Sequence, residues 1–170
     1  MSTAEEVIRL LQLQPLPCEG GWYRETYRSA LQMPVEVLAS RYRAARSSGT
    51  AIYYLLTPDT FSALHRLPTD EVFHFYLGDP VEMLQLGPRP EDGGRIVTLG
   101  HDILAGQTVQ TVVPAGVWQG SFLRAGGAFA LMGTTMTPGF DFDDYEAADR
   151  DVLRASFPHF ADKIGLFCVH

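Results

Sequence analysis

Residues 61–78 read FSALHRLPTDEVFHFYLG. Phe61, Ala63, His65 and Leu67 alternate with Ser62, Leu64 and Arg66, the two-residue period of a strand with two different faces. Pro68-Thr69-Asp70 interrupts the run, because proline fixes φ and the short Thr and Asp side chains bond the local backbone. A second alternation follows, with Glu71, Phe73, Phe75 and Leu77 on one face and Val72, His74 and Tyr76 on the other. The unit is two short strands joined by a turn. Packing alone gives aromatic strands no reason to carry an acid and two imidazoles, so His65, Glu71 and His74 are the first candidates for chemistry.

Working outward, the same grammar repeats. Residues 22–28 and 51–56 read as strands upstream, separated by an aperiodic surface loop over residues 31–49. Downstream, residues 80–86, 96–99, 108–113, 117–122 and 128–137 read as strands, each bounded by Gly, Pro or Asp. Short strands at roughly 8–12-residue spacing with a turn between each mark a β-sandwich or barrel. Helices are expected only at the ends. Thr3-Ala4-Glu5-Glu6 is a capping box opening a short helix, and Asp149 caps another over residues 150–157, stopped by Pro158. The expected fold class is therefore all-β, in one domain spanning residues 1–170.

Composition agrees with a packed globular chain. Of 170 residues, 46% are hydrophobic and 19% charged, and 16 glycines with 11 prolines supply the turns. A formal charge of −7 without a basic stripe excludes a nucleic-acid surface. Cys18 and Cys168 stand near opposite ends without metal spacing, and two free thiols suit a reducing cytoplasm. No membrane span is expected, and a cytoplasmic location follows.

Two blocks resemble the paired motifs of the cupin superfamily, a double-stranded β-helix forming a jelly-roll barrel with a site inside. His65, Leu67, Glu71 and Gly78 align with the first motif, with leucine where that motif has its second histidine. Pro114-Ala115-Gly116 and Gln119 align with the second, with glutamine where that motif has histidine. The segments 19–26, 51–56, 65–75, 113–119 and 138–142 are similar to the small cupin-five branch, a domain of unknown function. The resemblance implies an internal small-molecule site, and the barrel's exposed edge makes a homodimer the default.

Three activities are carried forward. The first is a metal-independent isomerase or epimerase acting on a sugar or similar polar metabolite, as in the metal-free dehydrorhamnose epimerases that share the barrel. His65 would be the base, Glu71 would orient it, and Tyr53 or Tyr76 would be the acid. Arg24 or Arg66 would hold an anionic group, and Gln119 and Trp118 would line the ligand site. The second is a metal-dependent cupin enzyme with a divalent ion on His65, Glu71 and His74; loss of two motif histidines counts against it, so no cofactor is the expectation. The third is a non-catalytic metabolite-binding module. Strict alternation sets His74 on the face opposite Glu71, so it joins the site only through a bulge. Glu71 has an alternative as an ion pair with Arg66 or Arg24. His101, His159 and His170 are read as surface residues, and the acidic run over residues 141–146 as a solvated face rather than a Ca²⁺ loop.

Overall fold

The computed structural model describes residues 3–167. Helix α1 (Ala4–Leu11) opens on the predicted capping box: the Thr3 hydroxyl accepts from the Glu6 amide and the Glu6 carboxylate accepts from the Thr3 amide. It ends at Gln12 in the left-handed region, ahead of Pro15 and Pro17. The strands follow as β1 (Gln14–Pro15), β2 (Trp22–Arg28), β3 (Gln32–Met33), β4 (Arg46–Ser47), β5 (Thr50–Leu56), β6 (Phe61–Arg66) and β7 (Glu71–Gly78). After them come β8 (Val81–Leu86), β9 (Gly94–Leu99), β10 (Gln110–Val113), β11 (Trp118–Leu123), β12 (Ala130–Met136) and β13 (Glu146–Ala147). Helices α2 (Arg150–Ser156) and α3 (Ala161–Phe167) close the described chain.

Two antiparallel sheets face each other, ordered β1-β2-β5-β12-β7-β10 and β13-β6-β11-β8-β9, and β3 pairs with β4 in the region expected to be only loop. β2 pairs with β5 along its length, and on its other edge β1 reaches only Trp22 and Tyr23, so among the described residues that edge of 24–28 carries no strand partner. Inward-facing Tyr54, Phe73, Phe75 and Met132 of one sheet meet Val81, Met83 and Leu123 of the other in the barrel core. The outer face of the five-stranded sheet is covered by α2 and α3, with Leu64, Leu84 and Trp118 against Leu153, Ile164 and Phe167. Each such buried apolar side chain contributes about 1.5–3 kcal/mol. Helix α1 lays Val7 on Leu55 and Leu131 of the six-stranded sheet's outer face. No helix among the described residues is long and apolar enough to cross a membrane. Cys18 is an exposed free thiol, and His101 and His159 are exposed as read; Cys168 and His170 lie outside the described residues.

Two bulges revise the simple alternation. Opposite β11, His65 pairs with Gln119 and Ser62 with Ser121, so three steps on β6 face two on β11. Ser62 and His65 thus share the inner face, where strict alternation separates them. On β7 the register shifts at Tyr76, which puts Leu77 opposite Leu131 on the outer face instead of beside Phe75. Helix α3 is a further departure: Gly165 in ADKIGLF weakens the local signal, and packing of Ile164 and Phe167 on the sheet decides it.

β7 stops at Gly78, whose φ is +103° and where an added Cβ would lie 2.3 Å from the Phe129 carbonyl oxygen. Both strain and backbone clash oppose a side chain there. Gly78→Ala is expected to cost about 1–3 kcal/mol in urea unfolding. A change within about 0.5 kcal/mol would show that the turn relaxes freely.

Candidate functional site

The β6 bulge buries His65 to 1% exposure. Its Nδ1 lies 2.7 Å from the Ala63 carbonyl oxygen, which can only accept, so Nδ1 carries the proton in that bond and Nε2 is left as the basic nitrogen. Nε2 points at the Glu19 carboxylate, 3.9 Å away, and the Tyr145 ring stacks on the imidazole with centroids 5.0 Å apart. Glu19 arrives from a turn rather than a strand. Gly20 and Gly21 have φ of +96° and +72°; a Cβ at Gly20 would meet the Phe61 carbonyl at 2.4 Å and one at Gly21 the Tyr54 hydroxyl at 2.7 Å. Only glycine lets the chain bend this closely over the barrel. The Ser62 hydroxyl, brought inside by the bulge, donates to Glu19 at 2.8 Å.

Glu71 begins β7 on the inner face and is 7% exposed. Neither Arg66 nor Arg24 pairs with it. Gln119 Nε2 donates to its Oε2 at 2.6 Å, and Thr134 adds a further hydrogen bond. Burial pushes the Glu71 carboxyl above the usual carboxylate range and the charge of Glu19 adds to that, against the opposing pull of His65, Gln119 and Thr134. Glu71 therefore keeps its proton to a higher pH than an ordinary glutamate. The Tyr54 hydroxyl donates to the Gly20 carbonyl at 3.0 Å, and burial holds this phenol well above its ordinary pKa.

Glu19, Glu71, Tyr54 and Thr134 border a chamber of about 240 Å³ between the sheets, walled by Phe73, Phe140 and Phe142 among other apolar groups. Leu67, aligned with a motif histidine, is part of that wall. His65 and Gln119 stand directly behind the carboxyls. The segment over residues 140–147 crosses the barrel as a strap and supplies Phe140, Phe142 and Tyr145. Two bidentate pairs clamp it, Arg46 with Asp144 at 2.8 and 2.6 Å and Arg66 with Glu146 at 2.8 and 2.6 Å. Half of the acidic run expected to be a solvated face is thus paired with arginine.

The remaining sequence candidates lie elsewhere. The register from Glu71 to His74 is unbroken, so His74 stays on the outer face of the six-stranded sheet. There its Nε2 is 3.1 Å from the Thr135 hydroxyl, and Gln110 Nε2 is 3.1 Å from its Nδ1. Tyr76 stacks on His74 and meets Tyr53 edge-on above Gly133, with Arg24 over the Tyr53 ring. The expected partnership of His65 with Tyr53 or Tyr76 in one site does not form, because the sheet separates them. Arg66 and Trp118 meet on the outer face of the five-stranded sheet, with the guanidinium 4.5 Å from the indole. Tyr54, Glu19, Thr134 and Tyr145 take the interior places instead. The signal for Glu19 is its position before Gly-Gly within the cupin-like segment; an isolated loop carboxylate has no periodicity to betray it.

The donor set does not fit a transition metal. Leu67 has no ligand atom, the Gln119 amide donates to Glu71, and His74 is on the wrong face. Among the described residues no group of three or more His, Cys, Asp or Glu side chains is placed to hold an ion.

A family model described as the cupin superfamily (DUF985) matches residues 5–148. An uncharacterized protein of Saccharomyces cerevisiae is 33% identical over 141 residues, covering 75% of this chain and 66% of the yeast protein, so the match spans just under two thirds of that relative. Among solved structures, a hypothetical protein from Leishmania major superposes with a TM-score of 0.88 at 32% identity, covering 99% of this chain and 100% of that one. Protein SO0799 from Shewanella oneidensis gives 0.83 at 32% identity, with 99% of each chain covered. A cupin 2 domain-containing protein from Halorhodospira halophila shares the fold at 10% identity, with a TM-score of 0.56 over 89% of this chain and 84% of that one. With the family model covering most of its length and the barrel shared by these structures, the chain belongs to the cupin superfamily, in the branch described as DUF985.

Proposed function

We propose that this cupin binds a sugar or similar polar metabolite in the chamber and catalyses a metal-independent isomerisation or epimerisation. The observation that carries the reading is the placement of Glu71, a carboxyl whose pKa burial raises, in one small chamber with Glu19. Glu19 takes the proton from the carbon next to a substrate carbonyl, with His65 Nε2 and the Ser62 hydroxyl behind it. The C–H electron pair moves toward the carbonyl oxygen, which receives a proton from Glu71 and becomes an enol. In isomerisation Glu19 returns its proton to the former carbonyl carbon while Glu71 takes a proton from the neighbouring hydroxyl, which becomes the new carbonyl. In epimerisation the enol turns over in the chamber, Glu19 returns its proton to the opposite face of the same carbon, and Glu71 takes back the proton it gave to the oxygen. Carboxyls suit sugar hydroxyls, and Phe73, Phe140 and Phe142 suit the C–H faces of a ring.

Solvent exchange tests this reading. Sugars and keto-sugars incubated with the protein in D₂O are expected to lose the NMR signal of the C–H next to the carbonyl, and Glu71→Gln or Glu19→Gln is expected to abolish the loss. The near-complete burial of His65 under Tyr145 favours the binding module as a second reading. A sugar that binds the chamber without exchanging would establish that reading and remove the acid–base one.

A further inference from the structure

A second concavity, of about 640 Å³, lies on the far side of the strap from the chamber. The chain has 13 Lys and Arg against 20 Asp and Glu, yet Arg41, Arg43, Arg46 and Arg66 all border this cleft. Asp144 and Glu146 occupy Arg46 and Arg66. Arg41 and Arg43 are exposed and, among the described residues, neither has a carboxylate partner. The cleft's remaining carboxylate, Asp143, makes no ion pair there either, so two guanidiniums face one carboxylate.

The arginine loop is anchored. Tyr42, between the two arginines, is 4% exposed; its hydroxyl bonds the Thr69 hydroxyl and donates to the Pro68 carbonyl at 3.3 Å. Arg41 lies over the Tyr42 ring at 5.4 Å and Arg46 at 5.9 Å. An inward tyrosine holds its neighbours at the rim, pre-ordering two forked donors and reducing what a ligand would have to immobilise. Two planar guanidiniums with several N–H groups each match a tetrahedral oxyanion with three free oxygens better than a single carboxylate.

We propose that this cleft binds the phosphoryl group of a small metabolite, with Arg41 and Arg43 as its direct donors. The site does not depend on acid–base chemistry in the chamber, from which Leu67 and the strap divide it.

The test uses inorganic phosphate, with acetate as the monocarboxylate comparison, titrated calorimetrically at constant ionic strength. Phosphate is expected to bind at least about tenfold more tightly than acetate, and Arg41→Gln with Arg43→Gln to weaken it by about tenfold or more. Arg43→Gln alone, which spares the stacking on Tyr42, is expected to lose a large part of that affinity and covers the case in which the double variant folds poorly. Glu71→Gln is expected to bind phosphate normally, so failure in the chamber and failure in the cleft are separable. Equal binding of the two anions, or phosphate affinity unmoved by the arginine substitutions, would overturn the assignment.

Discussion

Asp144→Ala is expected to lower unfolding free energy by about 3–5 kcal/mol, read from urea denaturation. Arg46 and Asp144 have side chains only 5% and 8% exposed, meet through two short bonds, and join strand β4 to the strap across 98 residues of sequence. Removing the carboxylate leaves a buried guanidinium whose remaining hydrogen bonds, among the described residues, go to the Ala44 and Ala45 carbonyls. The large effect comes from that stranded charge rather than from the net worth of the pair. Glu146→Ala is the internal control. Its pair with Arg66 has similar lengths, but the side chains are 54% and 35% exposed, so water screens both the pair and its loss. A change of at most about 1 kcal/mol is expected. Equal losses in the two variants would mean that burial does not distinguish the clamps.

The second large effect concerns Glu71 and pH. Its folded pKa is raised above an unfolded value near 4.5, so between the two the folded chain binds more protons than the unfolded one. Stability therefore falls as pH rises through that window, and above it the fold carries an ionised buried carboxylate beside Glu19. Glu71→Gln removes the titration while retaining a group able to bond Gln119. Its stability relative to the parent is expected to be lowest in acid and to rise with pH, over urea midpoints taken from about pH 4 to 9. Under the proposed chemistry the same substitution lowers exchange in D₂O by about a hundredfold or more. Parallel stability curves for the two chains would show that Glu71 titrates normally.

How much of this was legible in sequence differs by residue. The period-2 runs and the turns between them are local, and they identified most strands, the capped α1 and the inner position of Glu71. His65 and Gln119 were legible through the motif resemblance, and the structure sets them opposite each other. Tyr53, Tyr76 and Arg24 were attractive by residue type, but a two-sided sheet offers every such residue two destinations, and theirs is the outer face. His74 shows the limit from the other side: strict alternation placed it outward, and the continuous register keeps it there.

From its sequence alone this chain determines an all-β barrel with capped helical ends, because strand period, turn chemistry and capping act over a few neighbouring residues. The composition of the site was decided only in three dimensions. Ser62 turns inward through a bulge, Glu19 enters on a glycine turn, and Tyr145 reaches His65 from 80 residues away on an arginine-clamped strap. Bulges, loop approaches and long-range ion pairs have no sequence period, since they are set by what each segment meets after the sheets have closed.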